Sequence, residues 1–303
     1  MIWLWTSIFS AILLGLYDVA KKASLQRNGV FDVLLYATAI STLFFLPMLL
    51  SSLVGWNLGA GTVFEVPEGS ARDYLLVASK AVLVAASWIF GILGMKHLPL
   101  TTVGIIKASR PVFVLLGCIF IFGERLNLLQ WGGVLTAMVA LYLLGRSSRH
   151  EGIVFARNKW IYCMAGSVLF GVLSALYDKY IMSQLNQVFV QGWGNFFLTI
   201  IFIGAVLLNA ASEKKKNGVA HRFHWDWTIL LIAIFITVSD FLYFYSLTCD
   251  GSMLSVISML RRSSVVITFI FGAILFKEQN IRSKALEMLL LLAGMALLLF
   301  GSY

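Results

Sequence analysis

Lys107 and Arg110, three residues apart, and the adjacent Arg261 and Arg262 each stand about halfway along an apolar run long enough to cross a bilayer. A charged side chain at the centre of a membrane helix costs about 2.5–3.5 kcal/mol on insertion scales, so such residues face a cavity or a partner. Arginine forks bind carboxylate or phosphate oxygens bidentately, and lysine adds a point charge. The i, i+3 spacing puts Lys107 and Arg110 on one helical face. Lys107 and Arg261 are 154 residues apart, an offset that recurs elsewhere in the chain. The four cations are therefore expected to meet in a midplane site for an anionic, phosphorylated solute. Tyr243 and Tyr245 in the eighth run could donate hydroxyls to the same solute, although packing is the commoner role for such rings, as it is for Trp88 and Trp193. Asp18, Asp178 and Asp240, with Lys80, form the charge-compensating set, Asp240 being placed to pair with Lys80 or an arginine. Glu287 is a further acidic residue inside an apolar run.

The elements that position these residues follow from composition. Of 303 residues, 60% are apolar and 12% charged, with a mean hydropathy of +0.89. Soluble domains run at about 45–50% apolar and about 25% charged, so this chain belongs in lipid. Apolar runs of spanning length fall near 3–24, 31–54, 74–95, 100–122, 128–146, 160–182, 190–210, 226–247, 252–275 and 283–301. They must be helices, because an open strand set would leave backbone groups unpaired in hydrocarbon and the alternation of a barrel is absent. No basic residue precedes Lys21, so the first run reads as a retained span rather than a cleaved signal. The net charge of +9 sits mostly in loops, including Lys214-Lys215-Lys216, and indicates headgroups rather than nucleic acid. Cys118, Cys163 and Cys249 are far apart and lack CxxC spacing, so they read as packing residues. Met253 and Met259 read as core filler. His97, His150, His221 and His224 all fall in loops; no zinc-protease, hydrolase-elbow or phosphate-loop motif is present, so neither an enzyme, a cofactor nor a metal is expected.

The halves repeat. Ser7, Ala11, Gly15 and Leu16-Tyr17-Asp18 return 160 residues later as Ser167, Gly171, Ala175 and Leu176-Tyr177-Asp178. These small residues at i, i+4 and i+8 form a stripe that lets helix backbones approach closely. Ile121-Phe122-Gly123-Glu124 likewise matches Leu275-Phe276-Lys277-Glu278. Five spans per half, an odd number, invert one half against the other. The expected fold is an all-α membrane protein of ten transmembrane helices in two inverted five-helix repeats, 1–147 and 148–303. Such inverted repeats supply two mirror-related states around a midplane site.

The stretch Lys107-Ala108-Ser109-Arg110-Pro111-Val112-Phe113, with Phe122-Gly123-Glu124-Arg125-Leu126 and Trp131-Gly132-Gly133, resembles the fourth-span end of an EamA repeat of the drug/metabolite transporter superfamily. A narrower resemblance is to the triose-phosphate and phosphate translocators, whose fourth span carries a similar lysine and whose ninth carries a Lys-Arg pair; here Lys107 and Arg261-Arg262-Ser263-Ser264 stand at those positions. Arg110 departs from that group, which has an acidic residue before the proline. The resemblance implies a multi-pass secondary transporter, placed in a bacterial inner membrane. Its substrate would be a small organic anion, a phosphate ester foremost, exchanged for phosphate. Export of amino acids, nucleosides or drugs, or flipping of a lipid-linked sugar, stays open beside it. Outside the spans, every Lys and Arg except Arg72 and Arg125 follows an odd-numbered span. The positive-inside rule then puts both termini outside the cytoplasm, whereas the resemblance implies cytoplasmic termini.

Overall fold

The computed structural model describes residues 2–56, 58–59, 61–62, 64–122, 126–182, 184–217, 224–248, 257 and 260–301. Among them the regular elements are all helical: α1 (Ile2–Ser24), α2 (Val30–Leu53), α3 (Ala71–His97), α4 (Leu100–Ala108), α5 (Arg110–Phe122), α6 (Leu128–Ser147), α7 (Lys159–Met182), α8 (Gln187–Asn217), α9 (Trp227–Thr248), α10 (Ser264–Leu275) and α11 (Ile281–Phe300). Seven of these, α1, α2, α3, α6, α7, α8 and α11, are long and apolar enough to cross a membrane. The remaining expected spans fall on α4 with α5, on α9 and on the ninth run, of which 252–256 and 258–259 lie outside the described residues. Gly123, Glu124, Cys249, His221, Met253 and Met259 lie outside them too, as do the side chains of Cys118, His150, Lys179 and Lys214-Lys215-Lys216.

Local chemistry sets the helix ends. Ser70 accepts from the Asp73 backbone N–H while Asp73 accepts from that of Ser70, and Asn127 with Gln130 does the same for α6. Each reciprocal pair satisfies two donors that helix geometry would otherwise leave bare. Lys22 donates to the carbonyls of Met95 and Leu98, both at 2.6 Å, placing a cation at the C-terminal end of α3. The Glu278 carboxylate accepts from the backbone N–H groups of Leu100 and Thr101, the latter at 2.9 Å, and so caps α4 with an anion.

The fourth run is not one continuous helix. At Ser109 the ladder shortens to an i, i+3 step, with Val112 N–H donating to the Ser109 carbonyl at 3.0 Å and Ser109 Oγ donating to the Ile106 carbonyl at 2.6 Å. Ser263 does the same 154 residues later, with Val266 N–H on its carbonyl at 2.9 Å and its own Oγ on the Leu260 carbonyl. Pro111 lacks an N–H and so contributes to the first break, but Val265 stands at its equivalent in the second half. The shared cause is the serine, whose hydroxyl competes for a helical carbonyl.

The two repeats interleave. α1 packs on α9 and α10, α2 on α8, α3 on α7, α4 on α10 and α6 on α11, so each of these contacts joins one half to the other. Where α1 meets α9, Ser10 Oγ donates to the Ser239 carbonyl at 2.7 Å and Ser239 Oγ to the Ser10 carbonyl at 2.8 Å. Ser87 and Ser167 exchange the same two bonds between α3 and α7, at 2.9 and 2.8 Å. Gly133 and Gly294 bring the backbones of α6 and α11 together, a Cβ on either falling within 3 Å of the other's carbonyl oxygen. Small residues thus permit close approach at these seams.

Candidate functional site

Between α1, α3, the α4–α5 break, α7, α9 and the Arg261–Ser264 turn lies a cavity of about 270 Å³. Five cations line it: Lys21, Lys107, Arg110, Arg261 and Arg262. The lining carboxylates are Asp18 and Asp240. Tyr17, Trp88, Ile236 and Val265 add apolar and aromatic wall, and Ser87, Ser167, Ser264 and Thr268 add hydroxyls.

The break at Ser109 explains how Lys107 and Arg110 reach one cavity. Lys107 lies in the last turn of α4 and Arg110 opens α5, so both project where the helix is interrupted. Lys107 Nζ lies 2.7 Å from Asp18 Oδ1. Arg261 pairs with Asp240, and its guanidinium stands 4.2 Å from the centre of the Tyr243 ring. These pairs account for both lining carboxylates, leaving Lys21, Arg110 and Arg262 without an acidic partner among the described residues.

Arg110 sits in a recess made for it. A Cβ on Gly171 would fall 2.2 Å from Arg110 Cζ, so the guanidinium rests against the bare α7 backbone. Its Nη2 makes only long contacts, 3.4 Å to Ser87 Oγ and 3.5 Å to the Ser167 carbonyl, and its buried Nε has no partner. A guanidinium has five donors in a fixed fork, so this one is under-satisfied. Arg262 lies within electrostatic reach of Arg110 and Arg261, a concentration of like charge inside the protein.

The other expected residues lie elsewhere. Asp178 and Lys80 pair with each other at 2.8 Å, away from the cavity lining. Tyr243 stands behind Arg261 rather than in the lining, and Tyr245 stacks near Phe241. Trp88 does line the cavity, whereas Trp193 belongs to an apolar cluster with Phe189 and Val77. Glu287 lies beside Ser147 and the Lys284–Glu151 ion pair, whose N–O distance is 2.7 Å, and plays no part in neutralising the cavity. Lys21 is the charged lining residue that the sequence reading missed, because its place near the end of the first run made it look like a headgroup-facing flank. Its spacing from Tyr17 and Asp18, i+4 and i+3, was the available signal.

A search of curated proteins gave no match. A solved crystal structure, titled only as that of a protein, superposes with a TM-score of 0.59 over 97% of this chain and 94% of its own at 15% identity, which shows a shared fold. The model of the EamA-like transporter family matches residues 1–146 and again 158–300. Two copies of one transporter repeat therefore make up nearly the whole chain, and this multi-pass membrane protein belongs to the EamA-like transporter family of the drug/metabolite transporter superfamily.

Proposed function

We propose that the protein carries a small organic anion, a phosphate ester foremost, across a bacterial inner membrane by alternating access around the α4–α5 cavity. The observation that supports this most directly is the charge of the lining: five cations against two carboxylates in about 270 Å³. Clustered like charges in a low-dielectric space repel strongly, and an oxyanion relieves that repulsion while satisfying the free donors of Arg110. The same surplus works against organic cations as cargo. Exchange follows from the same electrostatics. An empty cavity resists closure because its cations repel, and a bound dianion permits the switch, as differential binding to the closed state requires. Counterflow in proteoliposomes tests the reading: vesicles loaded with inorganic phosphate should accumulate a labelled phosphate ester, and phosphate-free vesicles should not. Uptake of neutral amino acids or nucleosides with none of phosphate esters would overturn it.

A further inference from the structure

Lys21 differs from Lys22, Lys80, Lys107 and Lys284, the lysines of the helices that are paired inside the protein. Lys80, Lys107 and Lys284 each meet a carboxylate, and Lys22 meets two carbonyls. The Lys21 side chain is buried, at 5% exposure. Its Nζ is held between two rings, 4.0 Å from the centre of Tyr17 and 4.9 Å from that of Trp88. Ring faces attract a cation but accept none of its N–H bonds in the ordinary way. No oxygen among the described residues accepts from it, and nearby Asp18 is already engaged by Lys107. Three ammonium donors are thus unpaired among the described residues and set in the wall of the cavity.

The two uncompensated arginines stand elsewhere in that wall. Arg110 rests on α7 at Gly171, with Arg262 in its field. Lys21 stands between α1 and α3, and behind it a small pocket is lined by Val33, Leu34 and Ala37 of α2 and Ile232 of α9. Free positive charge is therefore divided between two flanks of one cavity. A single compact oxyanion held by the arginines would leave the ammonium bare.

Resting on the anion-carrier reading above, we propose that Lys21 is a specificity-determining residue that binds a second acidic group of the solute. The cavity then takes small organic anions with two separated acidic groups, such as a phosphate ester that also carries a carboxylate. The aromatic pair fixes the ammonium in place, so little side-chain freedom is lost when the second group arrives.

The test compares phosphoglycolate with 2-hydroxyethyl phosphate, which differ in carrying a carboxylate or a hydroxymethyl group at the end remote from the phosphate. Binding of each to the purified full chain is measured by calorimetry. The parent protein should prefer phosphoglycolate by roughly tenfold or more, the scale of one charged hydrogen-bond partner. In Lys21→Gln the ratio should fall to about one, and in Arg110→Gln both affinities should drop with the ratio kept. Lys21→Arg keeps the charge and should keep a preference of at least about threefold, which carries the test if the Gln variant does not fold. A parent that binds both probes equally, or a Lys21→Gln protein that retains the parent ratio, overturns the role of Lys21 while leaving the anion-carrier reading intact. Failure of the parent to bind either probe or inorganic phosphate overturns both.

Discussion

Lys80 Nζ lies 2.8 Å from Asp178 Oδ1, and this ion pair has no counterpart among the described residues of the other half. Asp18, its repeat equivalent, pairs with Lys107, while Arg261, the equivalent of Lys107, pairs with Asp240 instead of Asp178. Seven residues at about 1.5 Å each separate Lys80 from Ser87 of the cavity along α3, and eleven separate Asp178 from Ser167 along α7. The pair therefore clasps α3 to α7 on one side of the cavity. In inverted repeats, the opposite-facing state exchanges the conformations of the two halves. Asp178 should then leave Lys80 for Arg261 when the cavity turns to the other side.

That exchange can be measured. Removing the clasp with Lys80→Gln, which leaves Asp178 free to take Arg261, should populate the opposite-facing state by about two- to fivefold more, the scale of a partly exposed ion pair. A cysteine at Leu14, which lines the cavity, placed in a background without Cys118, Cys163 and Cys249, should react correspondingly more slowly with an impermeant thiol reagent added from the side the cavity now faces. Equal or faster labelling would sink the clasp.

Cations with and without carboxylate partners should separate by stability. Lys107→Gln strands the Asp18 carboxylate, and stranding one member of a desolvated pair is costly, whereas removing both members can be near neutral. Lys107→Gln should therefore lower the melting temperature, and adding Asp18→Asn should restore much of the loss. Arg262→Gln removes like-charge repulsion, so it should melt at or above the parent temperature while losing binding of the anion by about 30-fold or more. A thermal loss for Arg262→Gln as large as that for Lys107→Gln would make both charges structural.

Much of this arrangement was legible in the sequence, for identifiable reasons. Intramembrane charge is so costly that Lys107, Arg110, Arg261 and Arg262 marked themselves, and the 154-residue offset put two of them at equivalent places. The partners were legible only in part: Asp240 could be assigned to Lys80 or an arginine but not to Arg261 in particular, and nothing assigned Asp178 to Lys80. Asp240 chose Arg261 and Asp178 chose Lys80 because helix rotation and the state of the transporter decide which side chains meet, and neither is written in hydropathy. The two serine breaks escaped for another reason: a hydroxyl bonding three residues back leaves no mark on an apolar run. Lys21 was hidden by depth, since a lysine near a helix end usually snorkels to the headgroups.

Orientation has a direct test. Charge bias places the basic loops after the odd-numbered spans in the cytoplasm and both termini outside it. A C-terminal reporter active only in the cytoplasm should stay dark, and strong signal would reverse the assignment and the side to which the cavity opens.

The small-residue stripe on α1 should be intolerant of bulk. Ser7, Ala11 and Gly15 are buried, and a Cβ on Gly15 would meet Ile267 Cβ at 2.5 Å and the Ser264 carbonyl at 3.0 Å. Overpacking a close seam of this kind costs about 1–3 kcal/mol or more. Gly15→Leu should cut folded yield well below that of Leu14→Ala, which only enlarges the cavity wall. Equal yields would remove the packing claim.

Gly171 offers the sharper contrast, because this position of the second stripe, the counterpart of Ala11, serves a side chain instead of a helix. The atoms that an added methyl would strike, Arg110 Cζ at 2.2 Å and Nη2 at 2.4 Å, belong to the far end of a flexible arginine, which can swing away at small cost to folding. Gly171→Ala should therefore fold with nearly the parent melting temperature yet bind the anion about tenfold or more less tightly, since a displaced fork no longer presents its paired donors. In the Arg110→Gln background, where no guanidinium fills the recess, the same Gly171→Ala change should have little further effect on affinity, the non-additivity expected of two changes that act on one contact. Additive losses in the double variant would mean that Gly171 acts on binding by some route other than Arg110.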